Sequence, residues 1–226
     1  MGKIWLSAAA LALIALAFAA PLLDSMPARA EEAPEVRPDD HVLGKADAPG
    51  TIFEYASLTC PHCARFDVEI LPQVKSLWID TGKAKLIFRD FPLDQSALKA
   101  SVLTQCAPPD RYFAFLDMLF KTQASWATAS NVKEALIRVA KFGGLSEDKL
   151  NACLGDEALS NKIVQERLDA EQKYGVDSTP TFFVNGKKLV GEQPIEDIAE
   201  ALGEKAPATT ANAPAAPGAA SSAAKP

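Results

Sequence analysis

Apolar and polar positions along this chain change period several times, and the changes divide it into elements. Thr51-Ile52-Phe53-Glu54-Tyr55-Ala56, just after Gly50, is a short β-type run without helical periodicity, and Lys83 to Arg89 is a second. Between them Cys63, Phe66, Ile70, Val74 and Leu77 step by 3, 4, 4 and 3, the spacing of one helical face, and Gly82 supplies a C-terminal stop. Pro72 lies inside that helix and is expected to kink it, because proline removes a backbone hydrogen bond. Strand, helix and strand make a βαβ unit.

From Asp94 to Tyr174 the pattern is helical, with breaks at Pro108-Pro109, at Ser125 to Ser130, at Gly143-Gly144 and at Gly155. Asp110, Ser130 and Ser146 stand where N-caps belong, and four or five helices are predicted. Thr181 to Val184, the turn Asn185-Gly186 and Lys187 to Val190 predict a hairpin with a type I′ turn, followed by a helix from Pro194 to Leu202. The expected fold class is α/β: a βαβ half over 41–93, an all-helical insertion over 94–174, and a ββα half over 175–203.

Both ends differ from this pattern. Met1-Gly2-Lys3, the apolar stretch Ile4 to Leu23 and Ala28-Arg29-Ala30 have the order of a secretory signal peptide, so residues 1–30 are expected to be cleaved after Ala30. The competing reading is an uncleaved anchor, since about 20 apolar residues can just span a bilayer. No cysteine follows where a lipid would attach. Cleavage removes Lys3, Asp24 and Arg29, moving the net charge from -6 to -7. So acidic a chain, without basic clusters, is a poor partner for nucleic acid or anionic lipid. Residues 31–40 are charged and proline-bearing, and 204–226 are almost wholly Ala, Pro, Ser and Thr. The first is expected to be a flexible acidic linker and the second a disordered tail.

Two of the four cysteines lie in Cys60-Pro61-His62-Cys63, at the junction of the first strand and first helix. Thr59 is the expected N-cap there. Unpaired N–H groups and the helix dipole would stabilise a thiolate at an exposed Cys60, His62 can add a hydrogen bond or a charge, and Cys63 faces the core. A structural zinc site needs four ligands, and the remaining candidates Cys106, Cys153 and His41 lack zinc spacing. A purely structural disulfide would close too short a loop to gain much. A C-x-x-C at a strand-to-helix junction in a βαβ unit points instead to redox exchange.

That motif, the helical insertion and Thr179-Pro180-Thr181-Phe182-Phe183-Val184-Asn185-Gly186, in this order, resemble the DsbA-like thiol:disulfide oxidases of the thioredoxin superfamily. The chain is also similar to the subgroup common in α-proteobacteria, and the resemblance covers residues 41 to 203. It implies a thioredoxin-like fold in which Cys60 is the nucleophile, Cys63 its buried partner, Pro180 a cis-proline facing the disulfide and Glu54 a buried acid beneath it. It further implies that the protein introduces disulfides into reduced, unfolded secreted proteins in the periplasm, with no cofactor and no metal. A membrane quinone-linked protein would reoxidise it.

The residues supply independent reasons. A cis bond at Pro180 turns the backbone of Thr179 outward, where it can pair with an extended peptide; Thr179 and Pro61 are therefore expected to meet substrate. The neighbours of Glu54 at period 2 are Ile52 and Ala56, so its strand face is apolar and a carboxyl there can shuttle the proton of Cys63. Cys106 continues the stripe Leu98, Val102, Cys106, and Cys153 lies beside Leu150 and Leu154, so a second, structural disulfide between them is expected; the alternative is two small buried hydrophobes. Thr179 before the proline also occurs in disulfide isomerases, which leaves direction open. Only about ten residues precede the fold after the leader, too few for the dimerisation domain of periplasmic isomerases, and a monomer is expected. A reductase or isomerase kept reduced by a membrane donor, and a thioredoxin-fold metal module, are the alternatives. Copper modules of that kind need C-x-x-x-C and a distant histidine, and His41 reads as a solvated edge residue.

Overall fold

Ile52 through Ala56 and Leu86 through Asp90 are buried on both sides of the sheet, as befits central strands, although Glu54, Arg89 and Asp90 interrupt their apolar runs. In this computed structural model residues 32–206 are described. The expected signal peptide and the tail beyond residue 206 lie outside them. The sheet contains β1 (Val42–Leu43), β2 (Gly50–Ala56), β3 (Ala84–Asp90), β4 (Thr181–Val184) and β5 (Lys187–Val190), in the spatial order β1-β3-β2-β4-β5. β2 and β3 are parallel and the other pairs antiparallel. Asn185 and Gly186 both have positive φ, 49° and 85°, as a two-residue hairpin turn between β4 and β5 requires.

The β2-to-β3 crossover is one helical rod with changing pitch. It comprises α1 (Pro61–Arg65), a π-helical stretch Phe66–Ile70, α2 (Leu71–Val74) and a second π-helical stretch Lys75–Ile79. Pro72 is accommodated by the wider turn before it, where the Leu71 N–H reaches the Phe66 carbonyl. The second wide turn shifts the helical phase, so that Trp78 and Ile79 are buried and Leu77, expected in the core, is 37% exposed.

The insertion contains α3 (Gln95–Gln105), a 3-10 turn (Pro109–Arg111), α4 (Tyr112–Lys121), α5 (Gln123–Ala127), α6 (Val132–Phe142), α7 (Glu147–Leu154) and α8 (Glu157–Tyr174). These are more helices than the four or five predicted, because α5 forms where Ser125 to Ser130 read as a break. Ser146 caps α7, but Asn131 rather than Ser130 caps α6, Asp110 lies within the 3-10 turn, and Asp94 and Asp156 cap α3 and α8. Pro194 precedes the closing helix α9 (Ile195–Leu202). One core unites Ile52, Ala56, Cys63, Phe66 and Phe182 with the insertion, and a second, on the opposite sheet face, joins Phe53, Tyr55, Phe183 and α8 residue Ala170.

Two expectations for the N-terminal end are corrected. Residues 35–40, read as a flexible linker, are held against β3: Arg89, itself buried, donates to Asp40 Oδ2 at 2.7 Å and to the Glu35 carbonyl at 2.6 Å. Asp39 pairs with Lys162 of α8 at 2.9 Å. Charge composition marked this segment as solvated, but the buried Arg89 cation needs these acceptors. His41 is half-buried rather than solvated, stacked on Tyr112 with ring centroids 3.7 Å apart, and burial lowers its pKa. β1, unseen in the sequence, follows it at the sheet edge.

Candidate active site

β2 ends at Ala56, and the chain turns through Ser57 to Thr59 so that Cys60 occupies the N-cap of α1. Cys60 therefore takes the position expected of Thr59, whose hydroxyl instead donates to Asp94 Oδ2 at 2.6 Å. The turn is braced from behind by the buried Gln123 of α5, whose amide donates to the carbonyls of Leu58 and Cys60 at 2.9 Å each. Across from it, the Thr179-Pro180 peptide bond is cis, and the Cys60 thiol donates to the Thr179 carbonyl at 3.3 Å. Thr179 is half-buried and Pro180 buried, while Pro61 and His62 are exposed. Cys60 itself is buried, 6% exposed, where the sequence reading expected an exposed thiol, because the cis-proline loop packs over the helix terminus.

Cys60 and Cys63 are both free thiols, and they differ sharply. Cys60 is lowered to about 5, foremost by a hydrogen bond from the Cys63 thiol; burial opposes this, and the Thr179 side chain and the backbone N–H groups of Cys63 and His62 add to it. Cys63 is completely buried and its pKa is driven far above the ordinary thiol range. Burial is the chief cause, followed by its bond to Cys60 and the negative charges of Cys60 and Glu54.

Glu54 lies beneath them on β2, paired in register with Phe88 and Phe182, 1% exposed and with Oε1 unpartnered. Burial raises its pKa well above the carboxylate range, and repulsion from Asp67 and Cys60 raises it further. Asp67, one turn beyond Cys63, is a second buried carboxyl, pushed up to about 7 by burial and by the charge of Asp117, with Lys121 opposing. It borders a groove of about 420 Å³ also lined by Leu71, Phe113, Leu116 and Lys121. Cys106 and Cys153 lie apart from this site, bonded to each other through their sulfurs at 2.08 Å between the end of α3 and α7.

A protein-family model for thioredoxin matches residues 36–204. The chain belongs to the thioredoxin family. Within it the chain is DsbA-like: alpha-DsbA1 of Wolbachia pipientis superposes with a TM-score of 0.70 at 35% identity, covering 74% of this chain and 91% of that one. BdbD of Bacillus subtilis, solved in its oxidised form, has a TM-score of 0.66 at 26% identity, covering 73% and 91%. A Rickettsia bellii relative, whose name assigns it provisionally to the protein-disulfide oxidoreductases, is 32% identical over 149 residues. That match covers 66% of this chain and 58% of the relative.

The DsbA-like fold thus brings Cys60, Cys63, His62, Glu54, Thr179 and Pro180 together from three separated stretches. Sequence reading missed four side chains of this site. Asp67 carried a signal, since it follows Cys63 by four residues and shares its helix face. Arg65 follows His62 by three. Gln123 and Glu192 carried none, because each reaches the motif only through tertiary structure.

Proposed function

We propose that this protein is a thiol:disulfide oxidase that introduces disulfide bonds into reduced, unfolded proteins exported to the periplasm. The observation that carries the reading is the asymmetry of the two thiols: Cys60 ionises at about 5, whereas Cys63 is sealed and held protonated. In the oxidised enzyme, a substrate thiolate attacks Cys60 Sγ, breaking its bond to Cys63, and the Cys63 sulfur takes a proton from Glu54. The substrate's second thiolate then attacks its own sulfur in the mixed disulfide and expels Cys60 as thiolate. Two electrons pass from substrate to enzyme, and the substrate leaves with its disulfide.

A low-pKa leaving group makes the last step fast and the enzyme disulfide a strong oxidant. The Thr179 backbone beside Cys60 offers an edge on which an extended, unfolded peptide can pair. A membrane quinone-linked protein that accepts these electrons closes the cycle, and the N-terminal leader fits export. Among the described residues, no helix is long and apolar enough to cross a membrane.

The test is oxidation of a reduced, unfolded protein by the oxidised enzyme, with glutathione equilibration to place its potential. Activity is expected to vanish in Cys60→Ser, while Cys63→Ser accumulates mixed disulfides. A Cys60→Ser enzyme that remained active, or a potential more reducing than the glutathione pool, would sink the reading.

A further inference from the structure

His62 does not stand free at the mouth of the site. Its Nδ1 lies 3.1 Å from Glu192 Oε2 and 2.9 Å from Arg65 Nη2, and Arg65 Nε lies 3.0 Å from the same Glu192 oxygen. Nδ1 can serve only one of these partners at a time. Unprotonated, it accepts from Arg65; protonated, it donates to Glu192. In either case Nδ1 is occupied, and Nε2 is the ring nitrogen left for the sulfur or the substrate.

Glu192 comes from the turn between β5 and α9. Its neighbour Gly191 donates to the Pro180 carbonyl at 2.8 Å. The buried Gln193 braces the turn, donating to the carbonyls of Val190 and Gly191 at 2.9 and 3.0 Å. The cluster therefore ties the helix that carries the cysteines to the loop that carries the cis-proline.

We propose that Glu192 is a positioning residue for exchange at Cys60: it orients His62 and Arg65, and its charge offsets theirs, so that it restrains the acidity of the Cys60 thiol. Removing this negative charge leaves Arg65, at the end of the short helix α1 that Cys60 caps, unopposed on the cysteine-bearing helix, and a positive charge there favours the thiolate and hence the reduced enzyme.

This inference rests on the thiol-exchange reading, and equilibration of the purified protein with glutathione tests the two separately. A wild-type protein that does not equilibrate overturns that reading. If it does equilibrate, Glu192→Gln should shift the constant toward the reduced enzyme by about two- to five-fold, the size of a partly exposed charge contact. The Cys60 pKa, followed by thiolate absorbance, should fall in step. Glu192→Asp, which keeps the charge but shortens the side chain, should stay near wild type. Were the role one of packing alone, Gln would be the milder change. An unaltered constant in Glu192→Gln, a shift toward the oxidised enzyme, or a larger effect in Glu192→Asp overturns the proposal. Should Glu192→Gln fail to fold, Arg65→Gln carries the test: a shift toward the oxidised enzyme supports the offset of charges, and no shift refutes it.

Discussion

Ionisation of Cys60 should contribute a defined, pH-dependent amount of stability to the reduced protein and none to the oxidised one, which has no thiol there to titrate. The thiol titrates at about 5 in the folded, reduced state, against about 8.5 for an unperturbed cysteine. Because the folded value is depressed, the stabilisation is fully present above the unfolded value and is lost as the pH falls through the folded one. Integration between the two values gives about 3 kcal/mol at pH 7 and close to zero at pH 4. For a two-electron couple the same quantity corresponds to about 60 mV, by which the lowered thiol makes the disulfide more oxidising at neutral pH. Urea unfolding of both redox forms across this pH range measures it. Glu54 and Asp67 are present in both forms, so subtracting the oxidised curve removes most of their titration. The constraint that the disulfide places on the unfolded chain adds an offset independent of pH. If the difference between the forms stayed constant within about 0.5 kcal/mol from pH 7 to pH 4, the thiolate argument would be refuted.

Replacing Cys106 and Cys153 together by alanine should cost about 4 kcal/mol on the chain-entropy account of a loop with sequence separation 47, measured by urea unfolding, while the glutathione constant of the active site stays unchanged. Glu54→Gln removes a carboxyl whose folded pKa is raised, so wild type loses stability as the pH rises from the ordinary carboxyl range toward that value. The variant should accordingly be more stable than wild type at pH 7 but not at pH 4, while oxidising substrate about ten-fold more slowly or worse; unaltered kinetics would remove Glu54 from proton transfer. Asp40→Ala leaves the buried Arg89 cation without its carboxylate and should destabilise by about 3–5 kcal/mol, with proteolytic cleavage appearing first within residues 32–40. Resistance of that segment equal to wild type would show that the pair does not hold it.

Sequence by itself determined the elements whose signals are local. The alternation of β-type and helical periods placed the βαβ and ββα halves. Asn185-Gly186 specified its turn, because few residue pairs accept positive φ twice in succession. The cysteine spacing at a strand-to-helix junction marked the candidate exchange site, since the proposed chemistry needs a thiol at a helix N-terminus. The apolar neighbours of Glu54 at period 2 marked its burial. What only the tertiary structure decided depends on groups far apart in the chain. The segment 35–40 reads as solvated from its charge, yet Arg89, buried on the far side of β3, draws its acceptors inward. The phase of the active-site helix after Pro72 follows from two π-helical stretches that a 3.6-residue pattern cannot register, so Trp78 and Ile79 replace Leu77 in the core. Cys60 rather than Thr59 is the N-cap because its own backbone is extended where the helix begins, and the Thr59 hydroxyl reaches Asp94, 35 residues on. Gln123 and Glu192 meet the motif from α5 and from the turn after β5, separations at which no sequence period survives and only the packing of the insertion and the sheet brings side chain to site.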